Sequence, residues 1–261
     1  MRKKILFIVA SALLTGFVCF SIFVYIPSKY VVPILMYHNI DYAKDMLSVS
    51  PEDFNRHLLF LKKGNYNIIS LDELVDMLTY RKKIPVKTVI ITFDDGKENN
   101  FTFAYPIIKA YKVPAAMFVI PGRCGKKGYL TAGQLKEMSE NGIDIGSHSL
   151  NDVWLPGCND IEMMEEINGS KKALESIIGK KVNFISYPLG GFDCKVRMTA
   201  MKSGYRGGCA VSPGSKISNN DIYALKRVKV SGKSADNMIS FWFKATGYAV
   251  WAKELKLNRK K

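Results

Sequence analysis

The segment 88–96, with the sequence TVIITFDDG, constrains the fold of this chain more than any other. Its apolar part shows no polar alternation, which is typical of a strand buried on both faces of a parallel sheet. Active sites of α/β proteins collect at the carboxyl edge where such a strand ends. Asp94 and Asp95 point to opposite sides there, so one can hold a cation while the other moves a proton. The alternative is a plain turn, because Asp and Gly96 are ordinary turn residues.

Predicted strands alternate with predicted helices along the rest of the chain, which favours a single α/β domain. Strands are expected at 31–38, 68–69, 89–92, 115–120, 143–148, 182–187 and 206–211. Helices are expected from Ser50 to Gly64 and at 71–78, 105–111, 131–141, 160–178 and 196–203. The strand ends carry histidine, aspartate and a Tyr-Pro pair, at intervals that a barrel of parallel strands would bring together.

The amino terminus has the pattern of a membrane anchor. Basic residues 2–4 precede an uncharged apolar run, 5–26, that is long enough as a helix to cross a bilayer. A cleaved signal peptide is the alternative, but its apolar core is usually shorter and small residues follow it. The basic cluster predicts a cytoplasmic amino terminus and an extracellular remainder, in a single-pass protein of the cell membrane.

The chain of 261 residues carries a formal net charge of +15. For a domain outside the cell, this charge suits an anionic wall or polymer, and no nucleic-acid-binding motif is present. Four cysteines outside the apolar run show no C-x-x-C spacing, so disulfides and buried thiols both stay open. They are Cys124, Cys158, Cys194 and Cys209.

His148 and Asp152 form a second group with metal-ligand chemistry. Their spacing of four places both on one face of a helical turn, and Asp95 can supply a third ligand. A cation held this way leaves positions for water and substrate, while Asp94 is free to take a proton. The alternatives are a histidine satisfied within a loop and an aspartate that is a surface acid or a cap.

Three segments in this order resemble the motifs of the polysaccharide deacetylase family, the NodB-homology domain: TFDDG at 92–96, IGSHS at 145–149 and FISYPLG at 184–190. PILMYH at 33–38 and YALKRV at 223–228 resemble its permuted branch, which includes bacterial poly-N-acetylglucosamine deacetylases. The resemblance covers roughly residues 31 to 231. It implies a distorted (β/α) barrel, a divalent metal that is usually zinc, and hydrolysis of the N-acetyl groups of amino sugars in a polymer.

The resemblance also assigns roles at the metal site. Asp94 resembles the general base, whereas Asp95 and His148 resemble metal ligands. Asp152 stands where the family has its second metal histidine. Aspartate ligates zinc as well, although its arm is shorter and its oxygen is a harder donor.

Other matched positions concern the substrate. His38 resembles the general acid that protonates the leaving amine, and the backbone N–H of Leu189 is expected to face the oxyanion. The family's arginine motif is missing at Ser186, and Arg227 either orients Asp94 in its place or is a plain surface arginine. The groove is expected to be lined by Tyr37, Tyr187 and Pro188, whereas His57 is assigned to packing.

We expect three parts: a cytoplasmic stub and anchor at 1–29, a catalytic domain at 30–235, and an aromatic, basic helix and tail at 236–261. The last part suits sugar stacking, a membrane surface or packing on the barrel. The leading interpretation is a metal-dependent enzyme that removes N-acetyl groups from an N-acetylglucosamine-containing cell-surface polysaccharide. The alternatives are a catalytically impaired relative that binds wall glycans, with Asp152 as the distinguishing residue, and an O-acetyl ester hydrolase.

Overall fold

The structure, a computed structural model, describes residues 2–30, 32–210, 221–230, 232 and 235–248, with only the backbone described at 22–30. The expectations placed on Val31, Val211, Trp251 and the basic tail lie outside these residues.

Ten strands are described. They are β1 (Ile34–Tyr37), β2 (Asn39–Ile40), β3 (Ser48–Val49), β4 (Asn67–Ile68), β5 (Thr88–Phe93), β6 (Ala116–Val119), β7 (Asp144–Ser147), β8 (Phe184–Ser186), β9 (Gly207–Ala210) and β10 (Leu225–Lys229). All pairings between these strands are parallel. The β2 and β3 strands form a small separate pair beside the main sheet.

Nine α-helices are described alongside these strands. They are α1 (Arg2–Tyr30), α2 (Pro51–Lys63), α3 (Leu71–Thr79), α4 (Tyr105–Tyr111), α5 (Ala132–Glu140), α6 (Asp160–Met164), α7 (Ser170–Ile178), α8 (Cys194–Lys202) and α9 (Met238–Ala245). Local chemistry fixes several starts. Ser50, for example, accepts a hydrogen bond from the backbone N–H of Asp53, and Ser70 forms a capping box with Glu73.

The main sheet closes into a barrel. Its order is β1-β10-β9-β8-β7-β6-β5, and β1 also pairs with β5, so seven strands form the ring and β4 extends it outside β5. The predicted distorted (β/α) barrel is therefore confirmed. Because the strands are parallel, the residues that follow β1, β5, β7 and β8 all emerge at one rim.

The predicted helix 160–178 is interrupted. A π-helical turn, Glu165–Gly169, separates α6 from α7. This turn places the buried Glu166 where its carboxylate accepts hydrogen bonds from the backbone N–H and the side-chain amide of Asn151. The π-helical turn thus supports the loop that follows β7. Such turns are frequent at functional sites.

The two ends of the chain differ in how they meet the barrel. The segment Arg2–Ser21 of α1 is long and apolar enough to cross a membrane, with a mean hydropathy of 2.0, a property that a signal sequence near the amino terminus shares. By contrast, α9 packs on the domain through the buried side chains of Phe241 and Ala245 and leaves Ile239 exposed. Packing on the barrel therefore accounts for one face of the described part of the aromatic segment.

Candidate active site

Asp94 lies at the end of β5 in a buried ion pair with Arg227 of β10. The guanidinium donates from Nη1 to Oδ1 and from Nη2 to Oδ2, each at 2.6 Å. Nη2 also donates to Ser186 Oγ at 2.7 Å, and Ser186 Oγ lies 3.3 Å from Asp94 Oδ2. The structure therefore places a buried arginine beside Asp94, and a small Ser186 leaves room for it.

The charge of Arg227 governs the protonation of this aspartate. Burial raises the pKa of the Asp94 carboxyl, but Arg227 and, to a smaller extent, His148 outweigh it and hold the pKa at about 2. The side chain is consequently a carboxylate at neutral pH. An ionised carboxylate is the form that a general base requires.

His148, Asp95 and Asp152 converge on the same rim. His148 Nε2 lies 3.7 Å from Asp95 Oδ1 and 3.9 Å from Asp152 Oδ1. The other ring nitrogen, Nδ1, lies 2.8 Å from the carbonyl oxygen of Ser186. Since a carbonyl can only accept, this contact puts the proton of a neutral imidazole on Nδ1 and leaves the Nε2 lone pair facing two carboxylates.

The backbone around this cluster is strained. Asp95 has φ 72° and Asp152 has φ 64°, both in the left-handed region that is uncommon for residues other than glycine. Such conformations cluster at functional sites, where the surrounding contacts maintain them. Within the described ranges, however, no group of three or more His, Cys, Asp or Glu side chains already has the spacing of a metal centre.

His38 follows β1 at the same rim. Burial lowers the pKa of its imidazole, whereas the charges of Asp94 and Asp95 oppose this shift. Its Nδ1 is buried and has no hydrogen-bond partner among the described residues. Contacts of Nδ1 with the described residues therefore do not determine which ring nitrogen of His38 carries the proton.

The structure separates the residues expected in the groove. Leu189 has φ 53° and is 80% exposed in the turn after β8. Tyr37 and Tyr187 are fully buried, and their hydroxyls contact His57 Nδ1 at 3.1 Å and the Tyr223 carbonyl at 3.0 Å. Pro188 is buried as well. The side chains of Tyr37 and Tyr187 therefore fill the interior and are not brought to the groove surface.

Sequence reasoning missed a polar group beside Asp152. Arg123 Nη2 lies 3.3 Å from Asp152 Oδ2, and Tyr129 Oη receives hydrogen bonds from Arg123 Nη1 and Lys97 Nζ, each at 2.8 Å. The available signal was Lys97, a cation directly after the DDG turn. The five cysteines, in contrast, are free thiols, and Cys209 is buried in the barrel wall.

A closed parallel barrel with an ionised aspartate and a carboxylate–histidine cluster at its carboxyl-terminal rim has the groups that a hydrolase requires. Residues 81–208 match the family model described as polysaccharide deacetylase. The chain is 37% identical over 205 residues to YxkH of Bacillus subtilis (strain 168), whose name places it among polysaccharide deacetylases; the match covers 78% of this chain and 72% of that protein. The chain therefore belongs to the polysaccharide deacetylase family, a family of hydrolases, as its motifs predicted.

Two further similarities support this assignment. The poly-beta-1,6-N-acetyl-D-glucosamine N-deacetylase of Staphylococcus aureus (strain MSSA476) is 28% identical over 211 residues, covering 75% of this chain and 72% of the relative. The structure of the Streptococcus pyogenes deacetylase PplD in complex with acetate aligns with a TM-score of 0.73 at 27% identity. This alignment covers 81% of this chain and 98% of PplD.

Proposed function

We propose that this chain is a metal-dependent de-N-acetylase of an N-acetylglucosamine-containing cell-surface polysaccharide. The observation that carries the proposal is the approach of His148 Nε2 to the carboxylates of Asp95 and Asp152, at 3.7 and 3.9 Å. The Asp94–Arg227 pair shares the same rim, because Ser186 contacts both Arg227 and His148.

The donor set of one imidazole nitrogen and two carboxylates fits a divalent cation, and zinc is the cation that we propose. Nitrogen and oxygen ligands lie about 2.0–2.2 Å from zinc, so tetrahedral neighbours are separated by about 3.3–3.6 Å. The two distances from His148 exceed this range by only a few tenths of an ångström. A cation would also satisfy a nitrogen lone pair that now faces two acceptors. When bound, it supplies polarisation of the acetamide carbonyl and a lower pKa for a bound water.

The chain's own residues would carry the proton transfers. Asp94 accepts the proton of the water whose oxygen attacks the acetamide carbon, and Arg227 keeps that carboxylate oriented. As the C–N bond breaks, His38 in its protonated, imidazolium form delivers a proton to the nitrogen, which leaves as an amine while acetate forms. The Leu189 N–H is proposed to donate to the oxyanion.

The substrate class rests on the relatives and on charge. The Staphylococcus aureus relative acts, by its name, on poly-β-1,6-N-acetylglucosamine. A net charge of +15 suits retention at an anionic cell surface, with α1 as a single-pass anchor and the barrel outside. We assign the anchor to 1–29, the catalytic domain to 30–235 and the carboxyl-terminal part to 236–261.

A glycan-binding relative without activity is the second candidate function. The observation that favours it is Asp152, which replaces an imidazole with a carboxylate whose second oxygen already faces Arg123. A site weakened in this way would still leave the barrel and its rim intact.

Acetate release from N-acetylglucosamine oligomers, measured together with metal content, separates these functions. The wild type is expected to bind about one zinc ion and release acetate, and Asp94→Asn is expected to bind zinc while losing about 10²–10⁴-fold in rate. A wild type that contains no metal and releases no acetate, but gains both through Asp152→His, would establish the inactive relative instead.

A further inference from the structure

The loop 148–152 needs external support because its backbone is strained at both Ser149, with φ 54°, and Asp152. Ser149 Oγ accepts a hydrogen bond from the Asp152 N–H at 3.0 Å. The Leu150 carbonyl accepts another from the Gly122 N–H at 2.9 Å. The second of these contacts places the loop against the turn that follows β6.

Gly122 allows that turn to approach closely. A Cβ atom at this position would lie 2.5 Å from Asn151 Oδ1 and 2.6 Å from the Leu150 carbonyl oxygen, distances that no side chain tolerates. The absence of a side chain at 122 therefore brings the next residue, Arg123, to the edge of the proposed cation site.

Arg123 divides the two oxygens of Asp152 between two neighbours. Its Nη2 lies 3.3 Å from Oδ2, while Oδ1 is the atom that faces His148 Nε2. A carboxylate can serve both neighbours at once because it accepts through both oxygens. A neutral imidazole at position 152 has one acceptor nitrogen, so it cannot serve both neighbours as an acceptor.

Arg123 is itself fixed by Tyr129 and Lys97. Besides the two hydrogen bonds to Tyr129 Oη, the Lys97 ammonium lies 4.1 Å from the centre of the Tyr129 ring. Lys97 and Tyr129 also form a backbone bridge, and the Leu130 N–H donates to the Gly96 carbonyl. The segments that carry Asp95, Arg123 and Asp152 are thus joined at one rim.

We propose that Arg123 is a positioning residue that makes Asp152, rather than a histidine, the third ligand of the cation site. The inference rests on the proposed function only for the existence of that site. Groups that contact the ligands of a metal orient those ligands, and their loss typically costs about 10–100-fold in metal affinity. Arg123 and Asp152 then act as a matched pair, held in place by Tyr129 and Lys97.

Zinc binding to the metal-stripped full chain, measured by calorimetry, tests this directly. Arg123→Met is expected to weaken binding by about 10–100-fold. Removing the positive charge alone would instead strengthen binding of a cation, so the sign of the change distinguishes positioning from simple repulsion. Unchanged or tighter binding by Arg123→Met overturns the proposal.

Arg197→Met is a closely matched control. The side chains of Arg197 and Arg123 are both 35% exposed, and Arg197 pairs with Asp221 at 3.1 Å. Each guanidinium lies 5.5 Å from a tyrosine ring centre, that of Tyr223 or Tyr129. The control is expected to bind zinc like the wild type, and thermal melting of both variants reports whether the fold is kept. Equal loss of affinity in the two variants overturns the proposal.

Asp152→His completes a double-mutant cycle. If Arg123 is matched to a carboxylate, Arg123→Met lowers the zinc affinity of the wild-type background, in which Asp152 is present. In the Asp152→His background, the same change raises the zinc affinity or leaves it unchanged. Additive effects in the two backgrounds overturn the proposal. A wild type that shows this coupling but releases no acetate supports the inference and refutes the proposed activity, whereas a wild type that binds no zinc refutes both.

Discussion

At the scale of single residues, the Asp94–Arg227 pair shows why the site could be predicted only in part. The DDG turn marks Asp94 directly in the sequence, because a buried strand leads into it. Arg227 is 133 positions further along the chain. It meets Asp94 only because β10 lies beside β1, which itself pairs with β5. The sequence allowed two interpretations of Arg227, a residue that orients Asp94 or a plain surface arginine. Closure of the barrel buries Arg227 beside Asp94.

Loss of Arg227 should expose the cost of an unpaired buried charge. We expect Arg227→Met to lower the free energy of unfolding by about 3–5 kcal/mol at pH 7, because Asp94 then stays buried without its partner. Adding Asp94→Asn should recover a large part of this loss. Urea unfolding of the single and double variants measures both effects, and a single variant as stable as the wild type contradicts the expectation.

Asp144 is a carboxylate that the fold disfavours. Burial, followed by the charges of Asp72 and Glu73, raises the pKa of its carboxyl from 3.8 to about 6. The folded state therefore prefers the protonated form, so the contribution of Asp144 to stability is present below pH 4 and lost as pH rises through 6. Asp144→Asn should raise the unfolding free energy by about 1–3 kcal/mol at pH 7.5 and change it little at pH 3.8. A gain independent of pH would refute this titration.

At the scale of elements, helix starts were predictable because their caps are local. Ser50, Ser70 and Thr131 each accept a hydrogen bond from the backbone N–H three residues ahead. Two π-helical turns among the described residues, Asn100–Ala104 and Glu165–Gly169, were not predicted. In the second of these turns, Glu166 contacts Asn151 of another segment, and such a contact leaves no periodic signal in the sequence.

His57 joins three elements and should make their association sensitive to acid. Its Nδ1 lies 3.1 Å from Tyr37 Oη, its Nε2 lies 2.8 Å from the Ala235 carbonyl oxygen, and its ring stacks on Phe241 of α9 with centres 3.8 Å apart. The sequence assigned this residue to packing, which agrees with its position. Burial lowers the pKa of the imidazole from 6.5 to about 4.

The sign of this shift gives a measurable pH dependence. The folded state favours neutral His57, so its stabilising contribution is complete above pH 6.5 and is lost as pH falls through 4. About 2 kcal/mol should be lost between pH 7 and pH 4.5. Urea unfolding of the wild type and of His57→Phe, which keeps an aromatic ring against Phe241, should show this loss in the wild type only; equal acid sensitivity of both proteins would contradict it.

At the scale of the whole molecule, the barrel closes through β1, β5 and β10, and residues 2–30 contribute only a helix and no strand to it. The described side chains of the apolar span are not buried against the domain. The ring of Phe20, stacked 6.4 Å from that of Trp242, is a local contact with α9. We therefore expect the fold of the domain and the proposed anchoring through α1 to be separable properties of the chain.

A variant that lacks residues 1–30 tests this separation. It should leave the membrane fraction, melt within a few degrees of the full chain and keep its zinc affinity, because no side chain of the proposed site comes from α1. Intact mass of the protein recovered from membranes of the producing cells distinguishes an anchor from a signal peptide: an uncleaved anchor retains the mass of residues 1–30. Membrane-bound protein that lacks this mass would refute anchoring through α1. Its attachment would then have to come from another surface, of which the exposed face of α9 is one.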